Sequence, residues 1–120
     1  MSTIFHIAYK RDWLAAQEAG VYRISTRDRS LDDEGFIHCS DADQVARIAN
    51  GAYTDVAEPL VVLVIASERL DAEVRYETLD GGTELFPHIY GELPIQSVTS
   101  IRDLQRDSAG TFAFAEPIRE

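Results

Sequence analysis

The spacing of apolar side chains along this chain marks out its elements before any other property is considered. In "TIFHIAY", residues 3 to 9, alternation would place Ile4, His6 and Ala8 on one face of a strand and Phe5, Ile7 and Tyr9 on the other. "LVVLVIA", residues 60 to 66, is unbroken, which predicts a strand buried on both faces. "WLAAQEA" reads as a short helix that Asp12 would cap and Gly20 would stop. "VYRIS" follows as an extended piece, and the polar "TRDRSLDDE" leads into "GFIHCS". There "FIHC" reads as a strand running straight into a second helix. Ser40, with Asp43 three residues on, would cap it. Ala42, Val45, Ala46 and Ala49 would lie on one side, and Asn50-Gly51 would end it. "EVRYET", "FPHIY" and "SVTSIRDL" complete the strands, "LDGGTE" is a turn, and "GTFAFAE" would add an edge strand. Two main helices and six or seven short strands, not regularly alternating after residue 51, predict an α+β fold. The length of 120 residues predicts one domain over 1–120.

Composition narrows the function. The chain is 45% hydrophobic and 27% charged, a globular balance, and has no apolar run near the roughly 18 residues of a membrane span. No basic-then-apolar leader is visible at the N-terminus. One cysteine, Cys39, cannot form an internal disulfide, so a cytoplasmic setting is expected. The net charge is −10, from 21 acidic and 11 basic side chains. That surface repels duplex nucleic acid, whose binding rests on Lys and Arg at phosphates. The one basic cluster, Arg23, Arg27 and Arg29, has the charge to grip a single phosphate but also reads as a solvated loop.

Three histidines remain, each in an extended apolar segment: His6 in "IFHIA", His38 in "GFIHCS" and His88 in "FPHIY". In register, His38 shares a face with Phe36 and Ser40, and His88 with Phe86 and Tyr90. Should the three strands neighbour one another, imidazoles, hydroxyls and aromatic faces would converge on a cleft. A helix start after Ser40 would add backbone N–H groups suited to a phosphate. Each histidine has a plainer alternative, a packed ring with one hydrogen bond. Three imidazoles also make a zinc set, but no H-x-H or H-x₃-H pairing is present. Cys39 should point away from His38, into the core. Of the carboxylates, Glu77 is the first candidate for a role because it lies on a predicted strand, and Glu34 is the second. Tyr76 and Tyr90 are candidate stacking surfaces.

Taken in order, "IFHIA", Trp13 with Gly20 and Tyr22, "GFIHCS", "RYE" and "FPHIYGELP" resemble a bacterial and plant family, domain of unknown function 952. The resemblance runs from about Ile4 to Phe112, and "GFIHCS" and "FPHIYG" are its most specific parts. That family resembles the ADP-ribosyltransferase-like fold, in which two small antiparallel sheets flank a cleft that holds NAD. The resemblance implies a ribose contact for His6. "GFIHCSDADQVARIA" is also similar to the "HVHLS" stretch of RNA 2′-phosphotransferases, which implies binding roles for His38 and Ser40. Such enzymes usually carry an acid on a later strand, whereas "FPHIY" has none; the resemblance leaves that role to Glu77. The implied catalytic set is Glu77, His88 and His38, and the implied binding set is His6, His38, Ser40 and Tyr90. The ligand would be NAD or a related small nucleotide, cleaved or transferred at its ADP-ribosyl group. A non-catalytic small-ligand or protein-binding module, and a metal-dependent hydrolase using the three histidines, are the alternatives.

Overall fold

The alternation in the first strand is realised. In β1 (Thr3–Tyr9), Ile4 and Ala8 enter one core cluster, while Phe5, Ile7 and Tyr9 enter another. A computed structural model describes residues 3–78 and 82–114 of the chain. α1 (Lys10–Ala19) follows β1 directly, with Tyr9 at its N-cap and no side-chain cap. The first N–H, on Lys10, donates instead to the Pro59 carbonyl at 3.0 Å. Asp12, expected to cap, therefore sits inside the first turn, where its charge faces the positive end of the helix dipole. Gly20 does stop the helix, at a φ of 90° that glycine adopts without strain.

The polar segment after β2 (Val21–Tyr22) is more ordered than its composition implied. β3 (Ile24–Thr26) and β4 (Arg29–Ser30) form a tight antiparallel hairpin, with Arg27 at φ 45° in its turn. Ser30 and Asp33 then cap each other reciprocally at the start of α2 (Leu31–Glu34), a single turn that Gly35 ends at φ 86°. β5 (Ile37–His38) comes next. Ser40 does not cap the following helix: its backbone pairs with Phe5, at 2.7 and 2.8 Å, in a strand bridge one residue before the N-cap. Asp41 opens the turn in its place, and the Gln44 side chain accepts its N–H at 2.9 Å. After a 3₁₀ turn, α3 (Val45–Ala52) buries Val45 and Ala49 as the pattern required. Asn50-Gly51 does not end it. Asn50 stays helical while its side chain holds both the N–H and the carbonyl of Phe112, at 2.8 and 3.0 Å.

β6 (Leu60–Ala66) is the centre of the molecule, and all seven of its residues are buried. Val61, Leu63 and Ile65 pack into the cluster on one side of the sheet, and Leu60, Val62 and Val64 into that on the other. At about 1.5–3 kcal/mol for each buried aliphatic side chain, this strand anchors the fold. The remaining strands are β7 (Val74–Thr78), β8 (Leu85–Ile89), β9 (Leu93–Pro94), β10 (Val98–Arg106) and β11 (Phe112–Ala113). Part of the predicted "LDGGTE" turn and the end of "GTFAFAE" lie outside the described residues. The main sheet runs β1-β6-β10-β11, a second runs β5-β8-β7, and every pairing among the described residues is antiparallel. Among the described residues, the two sheets meet at a bridge between Phe5 and Ser40. The α+β class and mostly antiparallel sheets agree with the sequence pattern; α2 is a helix it did not predict. Among the described residues, no helix is long and apolar enough to cross a membrane.

Candidate functional site

The pairing of β5 with β8 sets His38 directly opposite His88, and Ile37 opposite Ile89. On the other edge of β8, β7 sets Arg75 opposite His88 and Glu77 opposite Phe86. Opposed residues in an antiparallel pair share a face. One face of this small sheet therefore carries His38, Phe86, His88, Arg75 and Glu77, while Ile37 and Ile89 enter the core. Cys39 enters it too, with its thiol pushed up by burial. The Phe36 ring stacks on His88 with centroids 4.1 Å apart and planes 10° apart, and Tyr90 lies 5.6 Å from Phe36. The His38 ring is 5.4 Å from both Phe86 and His88.

Hydrogen bonds run through these side chains in series. Glu77 Oε1 accepts from the Tyr90 hydroxyl at 2.5 Å and from His88 Nδ1 at 2.9 Å. His88 Nε2 then faces His38 Nδ1 at 3.4 Å. The Tyr90 hydrogen bond, with that of His88 second, holds the Glu77 carboxyl below its ordinary range. The same bond to Glu77 raises the Tyr90 hydroxyl. Burial first, and the neighbouring His88 second, push His38 down to about 4 against a smaller opposing effect of Glu34.

Beyond His38 lies a cleft of about 210 Å³, lined by Thr26, Glu34, Phe36, His38, Ile48 and Ala52. Glu34 and Phe36 reach it from either side of Gly35, whose left-handed backbone turns the chain between them. Arg29 pairs with the Glu34 carboxylate. Arg27 pairs with Asp55, and Arg23 with Asp32 and Glu92, so each arginine of the basic cluster already has a carboxylate.

His38 is the one residue of the predicted site in this lining. His6 lies behind it, 2% exposed, with burial pushing its imidazole down to about 4. Its Nδ1 is 2.6 Å from the His38 carbonyl and its Nε2 is 2.9 Å from the Tyr22 hydroxyl. A carbonyl only accepts, so Nδ1 carries the proton and Nε2 accepts from Tyr22. Neither nitrogen is left for a ribose. What His6 does is clamp the His38 backbone, whose N–H donates to Ser25 Oγ at 3.3 Å on the other side. Ser40 is 3% exposed, and Asp41 puts a carboxylate where the phosphate was expected. Tyr90 commits its hydroxyl to Glu77 and carries the Arg75 guanidinium 4.4 Å above its ring. The His38 and His88 rings lie 5.4 Å apart while His6 meets the His38 backbone, and of the three only His38 lines the cleft; among the described residues no three His, Cys, Asp or Glu side chains are grouped to hold a metal. The nitrogens of His6 and His88 are spent on protein partners. Glu34 is the carboxylate that faces the cleft, and its place at the end of a one-turn helix before Gly35 was the available signal.

A family model described as "Protein of unknown function (DUF952)" matches residues 7–101. The chain belongs to the DUF952 family. Its fold is shared by a crystal structure of the protein CC0527 from Caulobacter crescentus, at 29% identity and a TM-score of 0.78, over 93% of this chain and 94% of that one. A crystal structure of a double mutant of CC0527 matches at 32% identity and 0.77, over 93% and 94%. The solution structure of CC0527 matches at 31% and 0.74, over 92% and 91%. No curated protein matches the chain. The two most distinctive motifs of this DUF952 chain, "GFIHCS" and "FPHIYG", are the paired strands β5 and β8, and they supply the Phe36–His38–His88–Tyr90 cluster.

Proposed function

We propose that the cleft takes the nicotinamide–ribose end of NAD, or the matching part of a related nucleotide, and that the domain cleaves or transfers the ADP-ribosyl group in the manner of an ADP-ribosyltransferase-like fold. The observation that carries this reading is the placing of His38 and Glu34 on the wall of one small, mainly apolar cleft. At about 210 Å³ the cleft is smaller than the roughly 300–1,000 Å³ that holds a drug-sized ligand. It has room for one flat ring and part of a sugar, with the remaining nucleotide outside. Phe36, Ile48 and Ala52 supply an apolar seat for the ring.

Cleaving the nicotinamide–ribose bond builds positive charge on the sugar, and a fixed carboxylate in a water-poor site opposes that cost. Glu34 fills this role, which the resemblance left to Glu77. His38 Nε2 has no hydrogen-bond partner among the described residues, and it accepts the proton of the attacking water or alcohol. The electron pair of the broken C–N bond leaves with neutral nicotinamide. The −10 net charge disfavours an RNA substrate, and a small nucleotide with few phosphates meets less of that repulsion.

Incubation with NAD should release free nicotinamide, and His38→Ala and Glu34→Gln should each lower the rate by about 10²-fold or more. NAD or ADP-ribose at 100 times Kd should stabilise the protein by about 2.7 kcal/mol. Stabilisation without release would leave the cleft a binding module. Neither release nor stabilisation would sink the nucleotide reading.

A further inference from the structure

We propose that His88, Glu77 and Tyr90 form a proton relay behind His38: they hold His38 as its Nδ1–H tautomer, with Nε2 bare toward the cleft, and His88 becomes the resting place of the proton that His38 collects. The first half follows from donor and acceptor bookkeeping along the series. The Glu77 carboxylate only accepts, so the nitrogen facing it, His88 Nδ1, carries a hydrogen. A neutral His88 then has a lone pair at Nε2, and its neighbour at 3.4 Å, His38 Nδ1, must be the donor. That leaves the single lone pair of His38 at Nε2. Phe36 stacked on one face of His88 holds the ring in this orientation, and His88 is 2% exposed.

The second half answers a difficulty in the proposed reaction, on which this inference rests. His38 is neutral near pH 7, as a base must be, but with its imidazolium disfavoured down to about 4 it cannot retain a proton there. In the relay it does not need to. As the acceptor O–H attacks the ribosyl carbon, its proton passes to His38 Nε2 and the Nδ1 proton passes to His88 Nε2. His38 ends neutral with its proton on Nε2. His88 ends as an imidazolium whose Nδ1–H stays on the Glu77 carboxylate, 2.9 Å away. The charge formed is opposed by a full charge one ring back from the cleft, and the proton later returns to solvent. Tyr90 fixes the carboxylate by donating to the same oxygen. The other charged groups facing the series are Glu34 with its partner Arg29, on the cleft side of His38, Arg75 above the Tyr90 ring, and Glu73, which pairs with Arg75 and repels Glu77. The 3.4 Å step is long for a hydrogen bond, a common state of such contacts before a ligand closes the site. His88, Glu77 and Tyr90 are positioning residues; they act through His38.

The test is nitrogen-detected NMR on the whole chain with ¹⁵N-labelled histidine, without ligand. At neutral pH, His38 should show a bare Nε2 and a protonated Nδ1, and His88 a protonated Nδ1. Glu77→Gln keeps an acceptor oxygen but no charge, and should keep both tautomers while lowering nicotinamide release by about 10²-fold. A His38 protonated at Nε2 at neutral pH, or unchanged nicotinamide release in Glu77→Gln, would each overturn the relay. If the variant does not fold, the wild-type signatures alone decide. Absence of nicotinamide release would overturn the NAD reading and leave these spectra untouched.

Discussion

At the scale of single residues, the site depends on a histidine that no ligand reaches. His6 spends both nitrogens inside the protein, one on the His38 carbonyl and one on the Tyr22 hydroxyl, and Tyr22 is itself 1% exposed. Tyr22→Phe would remove the donor and leave a buried nitrogen unpaired, at a cost of about 1–3 kcal/mol. Urea unfolding should show that loss as a lower midpoint at unchanged slope; a shift below about 0.5 kcal/mol, the range of an ordinary surface change, would refute the clamp. The sequence allowed all three histidines to be found, and their strands to be named, but not their order from front to back. Alternation assigns a face within one strand, and depth depends on what packs over that face. Glu77 and Glu34 make the same point. Glu77 lies behind His88 through the β7–β8 register, and Glu34 faces the cleft through a one-turn helix. Neither contact is written in local spacing.

Among the elements, the strong patterns were legible and the caps were not. Uninterrupted apolar character marked β6, and alternation in β1 divided the two core clusters correctly. Asp12, Ser40 and Asn50 were all misread for one reason. Each had local chemistry suited to a helix end, and a tertiary partner decided otherwise: Pro59 for the first turn of α1, Phe5 for Ser40 and Phe112 for Asn50. The hairpin and α2 in the polar segment before β5 bury almost nothing, so no apolar period betrays them. Yet α2 and its Gly35 stop bring Glu34 and Phe36 to the same cleft. A β-carbon at φ 86° costs roughly 1–2 kcal/mol, although no neighbouring atom would block it. Gly35→Ala should therefore lower stability by about that amount and, if the backbone relaxes, weaken NAD binding without altering any side chain of the lining. Unchanged stability in calorimetry would mean that α2 can end in another way.

For the molecule as a whole, buried His6 does most to set how the fold responds to acid, although 21 of its side chains are carboxylic. The carboxyls held below their ordinary range, such as Glu84 at about 2 beside Arg47 and Gln44, stay ionised in the folded state at pH 5 and lose their contribution only at lower pH. His6 behaves differently. Unfolded, it takes up a proton near 6.5, whereas folded it does so only near 4. Below pH 6.5 the unfolded chain thus binds protons that the folded chain refuses, and stability falls with pH until both states are protonated below about 4. For His6 alone the loss is about 2 kcal/mol at pH 5 and approaches about 3 kcal/mol at the end of the window. His38 acts in the same direction, less strongly because it is partly exposed. Relief of repulsion is a weak opponent here, since most of the carboxylates behind the −10 charge remain ionised at pH 5. Moving from pH 7.5 to pH 5 should lower Tm by roughly 5–10 °C. His6→Gln should start less stable but lose much less over the same interval, because the titrating group is gone. Scanning calorimetry of both proteins at the two pH values gives the comparison. Equal losses in wild type and variant would mean that His6 is not the group whose burial the acid reverses.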